Sequence, residues 1–303
     1  MKIRRSAVWA VSVFCMGCAE APPAGPVCLP ESGVVSLPAS LSESSGVAVS
    51  LQNAGVYWTH NDTGRGLFAI DASGAIVAEF TLDVSLTDWE DIAVQTCDGG
   101  GSCLYLADVG DNYERRAAGQ IRILRLPEPV IGSTSSRDTL ATRIFPLALP
   151  GGAHDIEALA VLPGERLYLV SKGRNEPVTV YRYPGPLQAD TTVLLEQVQL
   201  LSDRPRFLSR QISGAAVDPE THVVAVRSYG AIQFFRMDGD SLAHLPAGDV
   251  SLMEVQQGQG EGVGFGLGGL VALTAEAGPG GGDGNLMFLR CSIGDLLIGP
   301  DER

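Results

Sequence analysis

The sequence has only four histidines and six cysteines in 303 residues, and none of them stands in a pattern typical of a zinc site or a metalloprotease. It also lacks a Gly-x-Ser-x-Gly nucleophile elbow and a phosphate-binding loop that ends in Gly-Lys. Basic residues are few, 21 against 35 acidic ones, so the formal net charge is -14. Because such a surface repels phosphate backbones, nucleic acid is not an expected partner.

Long apolar runs are also scarce, and 37 glycines and 18 prolines divide the chain into short segments. This composition predicts many short strands joined by turns, and hence an all-β fold.

One unit recurs five times, a polar residue followed by a short apolar run. Its anchors are Ala48, Ala93, Ala160, Ala216 and Gly264, and they are separated by 45, 67, 56 and 48 residues. These periods are typical of a four-stranded propeller blade.

We therefore predict a β-propeller over residues 33–293. Five blades are favoured, and six are possible because the second repeat is long enough to contain a further blade. The strand predicted over 33–37 has no partner within its own repeat. We expect it to complete the last blade, which closes the ring and leaves no long sheet edge exposed.

Residues 1–17 resemble a bacterial lipoprotein signal, with a basic start, a short apolar stretch and Gly17 before Cys18. Such signals are cleaved before the cysteine, which then takes the lipid. We predict lipidation of Cys18 and an exported protein, either in the outer membrane or facing the periplasm. Ordinary secretion, with cleavage between Ala19 and Ala24, is the alternative. The apolar stretch is too short to cross roughly 30 Å of hydrocarbon, so membrane contact is expected through the lipid alone.

Removal of this leader deletes three basic residues and no acidic one, which changes the net charge from -14 to -17. Residues 18–32 are predicted to form a Pro-rich tether, and residues 294–303 a C-terminal tail.

Four cysteines remain after the leader, and an exported protein is expected to oxidise them. Cys97 and Cys103 flank a glycine-rich turn between two predicted strands, so a bridge within this hairpin is the simplest closure. Cys28 would then pair with Cys291 and join the two ends of the propeller. Two other pairings remain open, as does a role for these residues as small buried apolar groups.

The repeat places acidic residues at equivalent positions around the channel. The inner strand of each blade lines the channel and the next strand runs antiparallel, so the start of one lies near the end of the other. Glu90, Glu157 and Glu261 share the starting position in three repeats. With Asp108, they are the predicted ligands of a divalent cation, for which we favour Ca²⁺ because it prefers oxygen ligands. The other predicted ligand-binding residues are His60, Asp62, Asp111, Asn112, Asp155, Lys172, Arg227 and Glu276.

A purely structural role for the glutamates is the alternative. Each could accept hydrogen bonds from loop amides or pair with Lys172, Arg174 or Arg227. Two classes of function follow. The first is a monomeric, lipid-anchored propeller that binds a small molecule, glycan, peptide or cell-envelope component at the channel rim. The second is a metal-dependent phosphoesterase, esterase or lactonase, in which His60 or a further carboxylate activates water.

Several short motifs carry a family resemblance. Ser45-Gly-Val-Ala-Val, His60-Asn-Asp-Thr-Gly and Trp89-Glu-Asp-Ile-Ala resemble the SdiA-regulated group of bacterial β-propellers. His154-Asp-Ile-Glu-Ala-Leu-Ala-Val is similar to the phytase-like esterase propellers. The resemblance implies a propeller fold and export, and its phytase-like part implies calcium-assisted hydrolysis of phosphate esters.

Overall fold

The computed structural model describes residues 28–132, 138–253, 255, 259–278 and 281–297. Its strands form five sheets whose inner strands contact one another in a ring, which confirms the all-β prediction and the count of five blades. The predicted leader, the lipidation site at Cys18 and residues 298–303 of the predicted tail lie outside the described residues.

The elements follow in chain order. Two short strands come first, β1 (Cys28–Pro30) and β2 (Val35–Ser36). Blade I contains β3 (Ser44–Val49), β4 (Tyr57–Asn61), β5 (Gly64–Ile70) and β6 (Ile76–Leu86). Blade II contains β7 (Trp89–Thr96), β8 (Ser102–Asp108), β9 (Ile121–Pro127) and, after the short β10 (Thr139–Leu140), β11 (Arg143–Ala148). Blade III contains β12 (Ile156–Leu162), β13 (Arg166–Ser171), β14 (Thr179–Arg182) and, after the short β15 (Val193–Leu194), β16 (Glu196–Leu200).

Blade IV contains β17 (Ile212–Val217), β18 (Val224–Ser228), β19 (Ala231–Asp238), β20 (Ser241–His244) and β21 (Val250–Ser251). Blade V contains β22 (Gln259–Phe265), β23 (Leu270–Glu276) and β24 (Asn285–Cys291), and helix α1 (Ile293–Leu297) follows it. Four 3₁₀ turns complete the described elements: Ala39–Leu41, Leu208–Arg210, Pro246–Gly248 and Leu267–Gly269. No helix in the described part of the chain is both long enough and apolar enough to cross a membrane.

The N-terminal segment completes blade V. Both β1 and β2 pair antiparallel with β24, with Cys28 opposite Cys291 and Val35 opposite Leu286. The predicted closure of the ring is therefore confirmed, and β1 shows that residues assigned to the tether already belong to the sheet. Both predicted disulfides are present, Cys28 with Cys291 and Cys97 with Cys103.

Two short strands cross from one repeat to the outer edge of the preceding blade. β10 pairs in parallel with β6 of blade I, with Thr139 opposite Thr81. β15 pairs in parallel with β11 of blade II, with Val193 opposite Leu147. These two latch strands cover sheet edges that would otherwise be free to pair with another chain.

The core lies between neighbouring blades, where alternate side chains of facing sheets interdigitate. Trp58, Phe80 and Trp89 are buried between blades I and II. One buried carboxylate also joins these two blades at the end opposite the starts of the inner strands. Glu128 accepts a hydrogen bond from Nε1 of Trp58 at 2.8 Å and bonds from the hydroxyl groups of Ser50 and Ser102.

Candidate functional site

Each inner strand contains a β-bulge near its start. In blades I to IV the ladder skips one residue, and in blade V the register shifts between Gly260 and Val263. The skipped residues are the polar positions aligned by the sequence repeat: Ser45, Glu90, Glu157, Ser213 and, in blade V, Glu261. A bulge bends the strand and changes the direction of its side chain. The five polar residues of the repeat therefore share one local geometry around the mouth of the channel.

A cavity of about 520 Å³ opens at this end of the channel, and we call it the acidic cavity. Neutral polar groups of Ser45, Asn112, Gln211, Tyr229 and Gln259 contribute to its wall, together with Leu208. Its only cations among the described residues are Lys172 and Arg174, both from blade III. Six carboxylates from four blades line it: Asp62, Asp88, Glu90, Glu157, Glu261 and Glu276.

Glu157 is the one cavity carboxylate that is ion-paired within the described structure. Its Oε1 accepts a hydrogen bond from the Lys172 ammonium group. Asp155 lies behind this pair, with Oδ2 at 3.9 Å from Lys172 Nζ and 3.6 Å from the Arg174 guanidinium. Burial raises the pKa of Glu157, and Lys172 limits that rise. The ion-paired role that the sequence left open for the glutamates therefore applies to Glu157.

Glu90, unlike Glu157, has no cationic partner among the described residues of the cavity. Its side chain lies in the cavity wall with 7% of the residue exposed, and no N–H, hydroxyl or cationic group of the described residues hydrogen-bonds to it. Its neighbour is Asp88, with which it can only share a proton. Burial, followed by the charges of Glu157 and Asp88, raises the pKa of Glu90 well above its ordinary value. Gly110 leaves room for this pair, because a Cβ atom there would lie 2.1 Å from Oε1 of Glu90.

The wall formed by blades V and I is also acidic. Glu261 is 3% exposed and receives one hydrogen bond, from the Gln259 amide to Oε1 at 2.6 Å. Burial and the charges of Glu157 and Glu276 raise the pKa of Glu261 well above its ordinary value. Burial, followed by the charge of Asp62, raises the pKa of Glu276 to about 7. Carboxylates in this arrangement repel one another unless a proton or a cation compensates.

The structure brings many of the predicted residues to the acidic cavity: Asp62, Glu90, Asn112, Glu157, Lys172, Glu261 and Glu276. It does not bring His60 there. The ring of His60 is fully buried, stacks on Trp89 with centroids 4.0 Å apart, and its Nδ1 hydrogen-bonds to the carbonyl of Asn61. Burial lowers the pKa of His60 to about 4. This position gives the candidate base no access to a ligand in the cavity.

Asp108 also lies below the rim. Its carboxylate is fully buried and forms ion pairs of 2.9 Å with both Arg116 and Arg122. It accepts the backbone N–H groups of Thr87 and Asp88 as well. Asp108 therefore fixes the start of blade II from behind.

Three further predicted residues support the rim. Asp111 accepts the N–H of Arg116 at 2.6 Å, and Asp155 accepts the N–H of Asp111 at 3.0 Å. Arg227 is fully buried and donates to backbone carbonyls of blade V, including that of Thr274 at 2.7 Å. The contacts of Asp111 and Asp155 hold the loop after β8 in place, whereas Arg227 holds strands β22 and β23 of blade V.

Three of the predicted calcium ligands, Glu90, Glu157 and Glu261, line the same cavity, whereas the fourth, Asp108, does not. Asp108 is held by two arginines away from the cavity, and Glu157 is held by Lys172. Within the described ranges, no group of three or more His, Cys, Asp or Glu side chains is arranged to hold a metal ion. The four residues predicted from the sequence therefore do not fit a common calcium site.

Asp91 is a further buried carboxylate at the centre of the ring, and it was not among the residues predicted from the sequence. It follows the bulge of β7, and its fully buried carboxylate accepts the backbone N–H groups of Ile92 at 2.9 Å, Leu159 at 2.8 Å and Ala215 at 3.0 Å. One side chain thus joins the inner strands of blades II, III and IV. Burial raises the pKa of Asp91, and these hydrogen bonds oppose the rise.

The equivalent positions of the other repeats hold only small residues: Gly46, Ala158, Gly214 and Gly262. Small residues are required because the inner strands approach closely, and a Cβ atom on Gly262 would lie 2.6 Å from the backbone nitrogen of Val47. The lone aspartate at a position otherwise occupied by glycine or alanine is the sequence signal that could have identified it.

We predict that stability falls as the pH rises above about 6.5. A carboxylate whose pKa is raised by folding binds its proton more tightly in the folded state. Its stabilising contribution is full below its ordinary pKa and is lost as the pH rises through the folded value, which for Glu276 is about 7. Burial of His60 acts in the opposite direction at lower pH, because its folded pKa of about 4 lies below its ordinary value of about 6.5, above which its contribution is complete. The melting temperature should therefore decrease between about pH 6.5 and about pH 8. Differential scanning calorimetry of the wild type and of Glu276→Gln measures this decrease.

Glu276→Gln should show a smaller decrease, because one of the titrating groups is gone. Glu79→Gln, which changes an exposed glutamate on β6, is the matched control and should behave as the wild type. A melting temperature that is constant or rises over this range would contradict the prediction.

No protein-family model matches the chain, and no curated protein matches it in sequence. Solved structures do match. The PQQ-bound aldose sugar dehydrogenase of Streptomyces coelicolor has a TM-score of 0.53 and 15% identity over 89% of this chain and 99% of that chain. The major allergen Mala s 1 of Malassezia sympodialis has a TM-score of 0.53 and 10% identity over 85% of this chain and 96% of that chain.

Regucalcin of Agrobacterium tumefaciens, described as a calcium-binding protein, has a TM-score of 0.43 and 14% identity over 86% of this chain and 95% of that chain. Other matching structures are described as gluconolactonases and a streptogramin B lyase. At these identities the likeness defines the class of protein, a β-propeller, and its activity has to be inferred from the cavity.

Proposed function

We propose that this chain is an exported propeller, anchored through a lipid on Cys18, that binds a positively charged ligand in the acidic cavity as a monomer. The observation that carries the proposal is Glu90, a buried carboxylate in the cavity wall without a donor among the described residues. Export is supported by the two disulfides, which form in an oxidising compartment outside the cytoplasm.

The balance of charge in the cavity favours a cation. Six carboxylates and two cations line it, and one of these cations, Lys172, is already bonded to Glu157. Removing carboxylates from water is costly unless an opposite charge compensates. A ligand with an ammonium or guanidinium group supplies that charge. The neutral wall of blade IV, with Leu208, Gln211 and Tyr229, can contact the rest of the ligand. Organic amines, amino sugars and basic peptide side chains have this chemistry.

Calcium is the other carrier of positive charge that the sequence suggested. Calcium prefers six to eight oxygen ligands. Two of its four predicted ligands are already ion-paired, Asp108 with two arginines and Glu157 with Lys172. The volume also favours an organic ligand, because about 520 Å³ is far larger than the roughly 30 Å³ share of one water molecule. We therefore propose that the ligand is an organic cation, and the experiment below also tests calcium.

Hydrolysis is the second candidate, and Glu276 is the observation that favours it. A carboxylate whose pKa is raised to about 7 is suited to general acid-base catalysis near neutral pH. Glu276 lines the cavity, whereas His60 does not. Turnover of an ester, lactone or phosphate ester by the wild type, lost in Glu276→Gln, would establish this function.

Calorimetric titration of the full chain with pentylamine, 1-pentanol and calcium chloride tests the proposed binding. We expect pentylamine to bind and pentanol not to bind. Glu90→Gln should weaken pentylamine about tenfold, which corresponds to about 1.4 kcal/mol, because one buried negative charge is lost. Glu79→Gln is the control and should leave the affinity unchanged.

Pentylamine should also bind more tightly as the pH rises through about 7, because Glu276 then ionises. Equal binding of pentylamine and pentanol would contradict the proposal. Binding of calcium, sensitive to Glu90→Gln and without binding of the amine, would assign the cavity to the metal instead.

A further inference from the structure

We infer that the ligand of the acidic cavity is dipolar, with a positively charged group facing the carboxylates of blades V and I and a carboxylate bound by Arg174 of blade III. This inference deepens the proposed function and rests on it.

The charges of the cavity are separated around the ring. Lys172 and Arg174 follow β13, so both cations stand at blade III. Blades V and I lie across the channel from blade III in a ring of five, and they contribute Glu261, Glu276 and Asp62. The cavity therefore has one wall with cations and an opposite wall with carboxylates. A ligand with a single positive charge would compensate the acidic wall and make no use of Arg174, whereas a dipolar ligand would contact both walls.

Arg174 is available for an anion. The side chain is 34% exposed, and its nearest carboxylate oxygen, Oδ2 of Asp155, is 3.6 Å away, which is longer than a hydrogen bond. No residue in the described ranges accepts a hydrogen bond from it. Lys172 differs, because its ammonium group already donates to Glu157. A guanidinium group has five N–H donors in a planar fork that matches a carboxylate with two parallel hydrogen bonds.

The opposite wall is available for a cation. Glu261 is 3% exposed and receives a hydrogen bond only on Oε1, so its Oε2 has no donor among the described residues. Oδ1 of Asp62 is buried and also lacks a partner there. Glu90, the buried carboxylate without a donor, lies in the wall between these groups and blade III. These oxygens can surround an ammonium group, which has three donors to satisfy.

Three probes of equal chain length separate the two charges: 5-aminopentanoate carries both, pentylamine only the positive one and pentanoate only the negative one. We expect 5-aminopentanoate to bind the wild-type full chain about tenfold more tightly than pentylamine, and pentanoate to bind most weakly. Isothermal titration calorimetry at one pH and one ionic strength measures all three affinities.

Arg174→Gln should remove the advantage of 5-aminopentanoate and leave the affinity for pentylamine unchanged or slightly higher. Arg204→Gln removes the same charge from an arginine that is 84% exposed, and this control should keep the advantage. The melting temperature of each variant, compared with that of the wild type, shows that the fold is retained.

Equal affinities for 5-aminopentanoate and pentylamine would overturn this inference and leave the proposed function standing. An advantage that survives in Arg174→Gln would overturn it too, because the anion would then be bound elsewhere. Failure of both amines to bind, or tighter binding of pentanoate than of pentylamine, would overturn the proposed function and this inference with it.

Discussion

Replacement of Asp91 by alanine is expected to lower the free energy of unfolding by about 3–5 kcal/mol, because buried backbone N–H groups left without an acceptor cost about 1–3 kcal/mol each. The fully buried carboxylate of Asp91 accepts N–H groups of Ile92, Leu159 and Ala215. The last two belong to other blades, so the substitution loosens three inner strands at once. Denaturant titration of the variant and the wild type measures the loss.

Asp91→Asn should have a smaller effect than Asp91→Ala. The amide oxygen of asparagine can still accept the N–H groups of Leu159 and Ala215, whereas its NH₂ group cannot replace the acceptor of Ile92. Glu79→Ala is the control for loss of an exposed carboxylate and should change stability by less than about 0.5 kcal/mol. A cost below about 1 kcal/mol for Asp91→Ala would show that the three bonds do not hold the blades together.

Loss of the Cys28–Cys291 disulfide should also cost much stability. A crosslink limits the freedom of the unfolded chain, and its effect grows with the length of the closed loop. The two cysteines are 263 residues apart, so the double variant Cys28→Ser/Cys291→Ser should lose about 5 kcal/mol. Unfolding in denaturant without reductant measures this difference.

The second disulfide provides a matched comparison. Cys97 and Cys103 are only six residues apart, so Cys97→Ser/Cys103→Ser should lose about 2 kcal/mol. The order of the two losses is the test. Equal losses of stability, or a larger loss for the short loop, would show that restriction of the unfolded chain is not the main way in which these disulfides stabilise the protein.

Much of the fold could be predicted from the sequence because it repeats. Each repeat starts with the same bulge, so the aligned polar residues led directly to Glu90, Glu157 and Glu261. The disulfides followed from position, since Cys28 precedes the first blade and Cys291 ends the last strand. The latch strands β10 and β15 could not be predicted, because a strand of two residues has no periodicity to detect.

His60 and Asp108 were predicted to reach the cavity and do not, because their side chains point in other directions. His60 and Asp108 stand near the ends of second strands, close to the rim in sequence, and that position suggested access to the cavity. Successive side chains of a strand point to opposite faces. His60 therefore packs between blades against Trp89, and Asp108 points to the two arginines behind blade II.

The latch strands have a consequence for the order in which the protein assembles. Blade I does not gain its fifth strand until residue 140 is available, and blade II does not gain its own until residue 194. Blade V needs both ends of the chain, because β1 and β2 pair with β24. Three of the five blades therefore depend on segments from outside their own repeat, and blade V, which closes the ring, is complete only when residue 291 is available. The ring is therefore expected to close only after most of the chain is available, and the propeller to unfold in a single cooperative step.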